Sequence, residues 1–88
     1  MNKSPYYVDF LQFNSPQYVK SDCADITFIN NALEGYILIN GVVKLYPNQS
    51  LTISANFDEI DTTIYRVDCD SIFLGANQTF AVLRKCYK

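Results

Sequence analysis

The chain has 88 residues, 49% hydrophobic and 18% charged, with a formal net charge of −2. That balance excludes a disordered tail and leaves no basic field for phosphate-driven binding of nucleic acid. Histidine is absent, which removes the side chain that most often serves as general base near neutral pH and most often binds transition metals.

A single domain this small buries only about 60% of the surface its unfolded chain exposes, so it needs a staple or a partner to be more than marginally stable. Seven Tyr and six Phe supply ample material for a core. No apolar run approaches the roughly 20 residues that span a bilayer, and the N-terminus lacks the apolar stretch of a secretory signal. The expectation is a soluble protein made in the cytoplasm, with no membrane partner.

In chain order, residues 5–13 carry Tyr6, Val8 and Phe10 on one parity and Tyr7, Leu11 and Phe13 on the other. A strand here is apolar on both faces, and residues 1–16 read as an N-terminal arm or edge strand. Asn14-Ser15-Pro16 breaks it. A short extended piece at 18–20 and a turn at Ser21-Asp22 precede the strand Asp25–Asn30, where Ile26 and Phe28 share a face.

The strongest local signal follows at 35–54. Strands over 36–39 and 42–46 are separated by Asn40-Gly41, the pair that most readily takes positive φ at both centres of a type I′ turn. A two-residue turn sets Ile39 opposite Val42 and Leu38 opposite Val43. One face then carries Tyr36, Leu38, Val43 and Leu45, and the other Ile37, Ile39 and Val42 beside Lys44. The first is expected to be core; the second, also apolar, is expected to be covered by another chain.

Pro47-Asn48 reads as a type I or II turn, and residues 51–55 alternate with Leu51, Ile53 and Ala55 inward. An acidic turn at 56–61 leads to a half-exposed strand over 62–69, an apolar run over 72–74, a connection at 75–78 and a last strand over 79–87. About seven short strands at roughly 8–12-residue intervals predict an all-β fold: one domain, a small antiparallel β-sandwich, immunoglobulin-like or jelly-roll-like.

Cys23, Cys69 and Cys86 lie in or beside strands without C-x-x-C spacing. They read as free thiols packed as small hydrophobes, with one disulfide as the alternative. Asp58-Glu59-Ile60-Asp61 offers hard oxygen ligands for calcium, but not in EF-hand spacing, and reads as a surface turn; no metal or cofactor is expected. Asp68 and Asp70, two apart, are the only carboxylate pair with a hydrolase's geometry in reach, and a solvated face accounts for them. Two N-glycosylation patterns, at Asn48 and Asn77, read as chance composition. The exposed tyrosines Tyr6, Tyr7, Tyr18, Tyr46 and Tyr87 suggest a flat platform for sugar or peptide.

The segments Ile39-Asn40-Gly41, Tyr46-Pro47-Asn48-Gln49-Ser50-Leu51-Thr52-Ile53 and Glu59-Ile60-Asp61-Thr62-Thr63-Ile64-Tyr65 resemble small β-sandwich virion proteins of tailed bacteriophages, particularly crAss-like phages of Bacteroidetes. The resemblance spans about residues 36–67. It implies a non-enzymatic structural part of a virion: a capsid-decorating, head-fibre or tail-associated subunit, present in symmetric copies and touching other virion proteins. The contacts expected are Tyr6, Tyr7, Phe10, Phe13, Ile37, Ile39 and Val42. The alternative is a small carbohydrate- or peptide-binding module.

Overall fold

The computed structural model describes residues 6–56, 59–73 and 78–87, apart from the side chain of Ile72. Several expectations, namely Asp58 in the acidic turn, the connection at 75–77 with the Asn77 glycosylation pattern, Leu74 and Lys88, lie outside the described residues. Among the described residues the chain forms eight strands: β1 (Tyr6–Phe13), β2 (Gln17–Lys20), β3 (Asp25–Asn30), β4 (Ile37–Ile39), β5 (Val43–Leu45), β6 (Ser50–Ser54), β7 (Ile64–Cys69) and β8 (Phe80–Tyr87). The apolar run at 72–74 is not a strand: Ser71–Phe73 form one 3₁₀ turn, which drops Phe73 into the core against Phe80.

The strands build two antiparallel four-stranded sheets, ordered β1-β8-β3-β6 and β2-β7-β4-β5. The pairs β1·β8, β2·β7, β3·β6 and β4·β5 are those of one long hairpin folded at the β4–β5 turn. Rolling that hairpin adds the contacts β3·β8 and β4·β7 and yields the jelly-roll order rather than the immunoglobulin one. Inner faces meet through Ile26, Phe28, Phe80 and Val82 of the first sheet and Val19, Ile37, Ile39, Leu45, Tyr65 and Val67 of the second.

The β4–β5 hairpin corrects the sequence expectation. Asn40 and Gly41 do take positive φ, 53° and 69°, and Val42 N donates to Ile39 O at 3.0 Å. Strand pairing nevertheless sets Ile39 opposite Val43 and Ile37 opposite Leu45, leaving Val42 as an extra residue in the turn. Asn40 is drawn toward β7: its N donates to Arg66 O at 2.8 Å, and its Oδ1 accepts from Arg66 N at 2.9 Å. A slip of one residue reverses faces. Ile37 and Ile39 are therefore buried in the protein's own core, 0% and 2% exposed, whereas Val42 is 80% exposed. Tyr36 and Leu38 turn outward, with Lys44 Nζ 4.3 Å from the Tyr36 ring centroid. At the next turn Asn48 has φ 68° after Pro47, and Gln49 N bonds Tyr46 O at 3.0 Å, the type II form.

Three clamps hold the sheets together. Cys23 and Cys86 form a disulfide across 63 residues, which corrects the expectation of three free thiols; Cys69 remains reduced. Cys23 precedes β3 in the first sheet, yet its O accepts from Asp61 N of the chain entering the second, so the cross-link sits where the sheets join. At the opposite end of β3, buried Asn30 donates from Nδ2 to Gly35 O at 3.0 Å and to Leu45 O at 2.9 Å, and accepts from Ala32 N at 2.9 Å. Near the Cys23 end, Arg84 of β8 pairs with Asp9 of β1, with Nε 3.0 Å from Oδ1, and donates from Nη1 to Lys20 O in β2 at 2.9 Å. The Asp9 hydrogen bond raises the Arg84 pKa against the opposing effect of burial.

Closing a loop this long removes denatured-state entropy worth about 4 kcal/mol. Replacing both Cys23 and Cys86 by Ser is expected to lower stability by about 2–5 kcal/mol, measured by urea unfolding. Asn30→Leu strands two carbonyls and one amide in the core, and is expected to cost about 3 kcal/mol and at least about 10 °C in Tm, read by calorimetry.

Candidate functional site

The sandwich has two outward surfaces of different chemistry. On the second sheet, Lys20, Lys44, Arg66 and Asp68 point out among the exposed Tyr18 and Ile64, with Arg66 Nε 3.1 Å from Asp68 Oδ2 and Lys20 Nζ 3.5 Å from Asp22 Oδ2. Such exposed pairs are water-compatible and contribute little stability. The first sheet is different. Strand parity puts Val8 and Phe10 of β1, Leu83 of β8 and Ile29 of β3 on its outer surface, in rows continued by Thr27 and Thr52. Val8 is 62% and Phe10 57% exposed. Charge on the described strands of this face is confined to Asp25 and Lys85, which stand opposite each other in the β3–β8 register.

The structure separates the expected contact residues into three groups. Tyr6 and Phe10 lie on this outer face, Tyr6 packed on Tyr87 at 4.9 Å with Lys85 Nζ 4.4 Å above its ring. Tyr7 and Phe13 have the opposite parity: Tyr7 remains exposed at the edge, and Phe13 turns in against Phe80 at 5.6 Å. Ile37 and Ile39 are core, so they offer nothing to a partner, and exposed Val42 sits on the distant β4–β5 turn. Sequence reasoning missed Leu83 and Ile29. Their signal was present in the alternation of β8 and β3, but only the β1-β8-β3 order puts Leu83 opposite Phe10 and Ile29 on the same face, in the row of Gln12 and Ala81.

The tyrosines do not assemble one platform. Tyr6 and Tyr87 adjoin on the first sheet, Tyr18 stands opposite Arg66 on the second, and Tyr46 lies at the β5–β6 turn. Asp68 is engaged by Arg66, and Asp70 follows the strand, its N bonded to Tyr36 O at 2.9 Å. Among the described residues no group of three His, Cys, Asp or Glu side chains is placed to hold a metal ion, and no helix is long and apolar enough to cross a membrane.

An open groove of about 360 Å³ runs between Ile53–Asn56 and Glu59–Thr62, with Tyr65 at its base. Its one strongly organised polar group is Asp61. Oδ2 accepts from Tyr65 OH at 2.6 Å and Oδ1 from Thr63 N at 2.9 Å. Burial pushes the Asp61 carboxyl up, but the bonds from Thr63 and Tyr65 outweigh it and hold the pKa below its usual 3.8. Burial and the Asp61 bond together raise the Tyr65 pKa. The Ser21 hydroxyl lies near enough to favour the charged carboxylate, yet it makes no hydrogen bond of acceptable geometry; geometry decides whether a buried hydroxyl is satisfied, so Ser21 remains unsatisfied. With its oxygens held by the protein, Asp61 acts as a structural brace for the entry to β7, not as a proton donor at neutral pH. Cys69 is equally quiet: burial, then the neighbouring Asp68 charge, push its thiol up to about 11, so the nucleophilic thiolate is scarce at pH 7.

Because the Asp61 pKa is lower folded than unfolded, its contribution is complete above the ordinary carboxylate value and is lost as pH falls through the depressed one. Asp61→Asn is expected to lower Tm at pH 7 and to flatten its fall between about pH 4 and pH 2, followed by circular dichroism. In the native protein Cys69 is expected to react with iodoacetamide at least about tenfold more slowly at pH 7.5 than in urea, by mass spectrometry.

In comparisons with protein-family models, curated proteins and solved structures, nothing matches this chain.

Proposed function

We propose that this protein is a non-enzymatic assembly subunit, a structural component of a phage virion of the capsid-decorating, head-fibre or tail-associated kind, working through protein–protein contacts. One observation carries the reading: the outer face of the first sheet exposes Val8 and Phe10, with Leu83 opposite Phe10, and bears charge on its described strands only at Asp25 and Lys85, while on the second sheet's outer face the exposed Tyr18 and Ile64 are interspersed with Lys20, Lys44, Arg66 and Asp68. A small domain gains about 25 cal/mol for each Å² of apolar surface it removes from water, so covering this face adds stability that the domain lacks alone. The jelly-roll order supports the reading by analogy only, since capsid proteins and lectins both use it. The resemblance of residues 36–67 to phage β-sandwich proteins points the same way.

In a host producing the particles, the protein is expected to co-sediment with virions purified on a density gradient, as read by mass spectrometry. Leu83→Lys, an outer-face change that leaves the core intact, is expected to hold the folded protein in the soluble fraction. Wild-type protein confined to the soluble fraction, or incorporation that ignores Leu83→Lys, overturns the reading. Binding on a glycan array by a protein that never enters particles favours the carbohydrate module instead.

A further inference from the structure

A jelly roll opened into two sheets has four edges, and on this chain two of them are blunted. β2 is four residues long, follows Pro16 and carries Lys20; β5 is three residues long, carries Lys44 and leads to Pro47; of the two edges that remain, β6, with the hydroxyl row Ser50, Thr52, Ser54, is five residues long and β1 eight. Short strands, lysines and flanking prolines are the devices by which edges avoid pairing with other chains. β1 has none of them within its own length, Pro5 standing just before it. It runs eight residues without Lys, Arg, Pro or Gly, and its register with β8 is continuous from Tyr6↔Tyr87 to Phe13↔Phe80. Among the described residues β8 is its one strand neighbour, so the other side of β1 presents a row of backbone donors and acceptors. Its single charge, Asp9, faces inward and is already held by Arg84.

The geometry points to a second copy of this chain as the occupant, its β1 added antiparallel to the first about a two-fold axis through Phe10. A backbone row of this kind is satisfied only by another extended strand. Strands of one continuous sheet keep inner and outer faces aligned only if residues of equal parity stand opposite each other. Centring on Asp9 sets two aspartates opposite each other, a repulsive pair. Centring on Phe10 sets Asp9 opposite Leu11, Tyr7 opposite Phe13 and Val8 opposite Gln12, with Phe10 facing its own copy, so no like charges meet. Both apolar outer faces then merge into one surface across the axis, and the contact is isologous and closes as a dimer. The assignment rests on the assembly reading above and names the first partner in it.

The test uses the purified full-length chain alone, which separates it from incorporation into particles. Sedimentation equilibrium is expected to show a concentration-dependent dimer, and Phe10→Lys to raise its dissociation constant at least about tenfold. In a Cys69→Ser background, Phe10→Cys is expected to cross-link on mild oxidation, because opposed antiparallel residues lie roughly 4.5–5.5 Å apart between Cα atoms, within disulfide reach. Gln12→Cys, equally exposed but facing Val8 of the copy, is expected to cross-link at least about tenfold more slowly. A monomer at concentrations up to about 0.5 mM, or Gln12→Cys cross-linking as fast as Phe10→Cys, overturns the pairing. A monomer that still enters particles leaves the assembly reading standing and removes only this one.

Discussion

Everything in this fold depends on the mutual burial of two sheet faces. A chain of 88 residues whose described residues form no α-helix has one way to take Ile26, Phe28, Phe80 and Val82 out of water: lay them on Ile37, Ile39, Tyr65 and Val67. Each such side chain contributes about 1.5–3 kcal/mol on burial. A hydrophobic interface is non-directional, however, and by itself does not fix how the sheets are stacked. Direction comes from the polar and covalent clamps: the Cys23–Cys86 disulfide and the Arg84 fork at one end of β3, and Asn30 at the other. The Asn30 and Arg84 bonds cross between the sheets and can be made in only one relative placement of them, while the disulfide ties β8 to the start of β3 within the first sheet.

Those clamps also explain how a small domain tolerates an apolar outer face. Sheets that slide or open would expose their cores and aggregate through whatever surface came first. With both ends of β3 fixed, the exposed rings and methyl groups of β1 stay on a defined surface, along the longest of the four edges. Asp9 illustrates the economy of the arrangement. An inward charge on an edge strand ordinarily discourages pairing, because an added strand would cover it; held by Arg84, it remains neutralised and leaves the edge open.

The sequence carried most of the fold. Alternation in 25–30, 62–69 and 79–87 grouped onto one face most of the side chains that the structure turns inward, in 51–55 it placed Leu51 and Ile53 inward, and the positive φ values at Asn40, Gly41 and Asn48 fall where the turn residues foretold them. Failures came where a local rule met a distant partner. The Asn40-Gly41 pair encodes a tight turn, but Arg66, 26 residues on, competes for Asn40 and shifts the pairing by one, which moves Ile37 and Ile39 from surface to core. Cys23 and Cys86 gave no spacing signal, because 63 residues separate thiols that meet only after the hairpin rolls. Asn30 read only as the end of a strand; its three hydrogen bonds exist only once β3, β5 and the intervening loop are stacked.

By itself, then, the sequence determined the all-β class, which residues share a face along most strands, and the aromatic character of residues 6–13, with Asp9 their one charge, since periodicity and turn chemistry are local properties of a chain. Tertiary structure decided strand order, the hairpin register, the disulfide and which apolar residues share a surface. These depend on encounters between residues far apart in sequence, whose energies no local pattern contains. Phe10 was visible as an exposed aromatic from the start. Its neighbour Leu83 comes from the β1·β8 pairing of the long hairpin, and rolling that hairpin adds Thr27 and Ile29 of β3 to the same face.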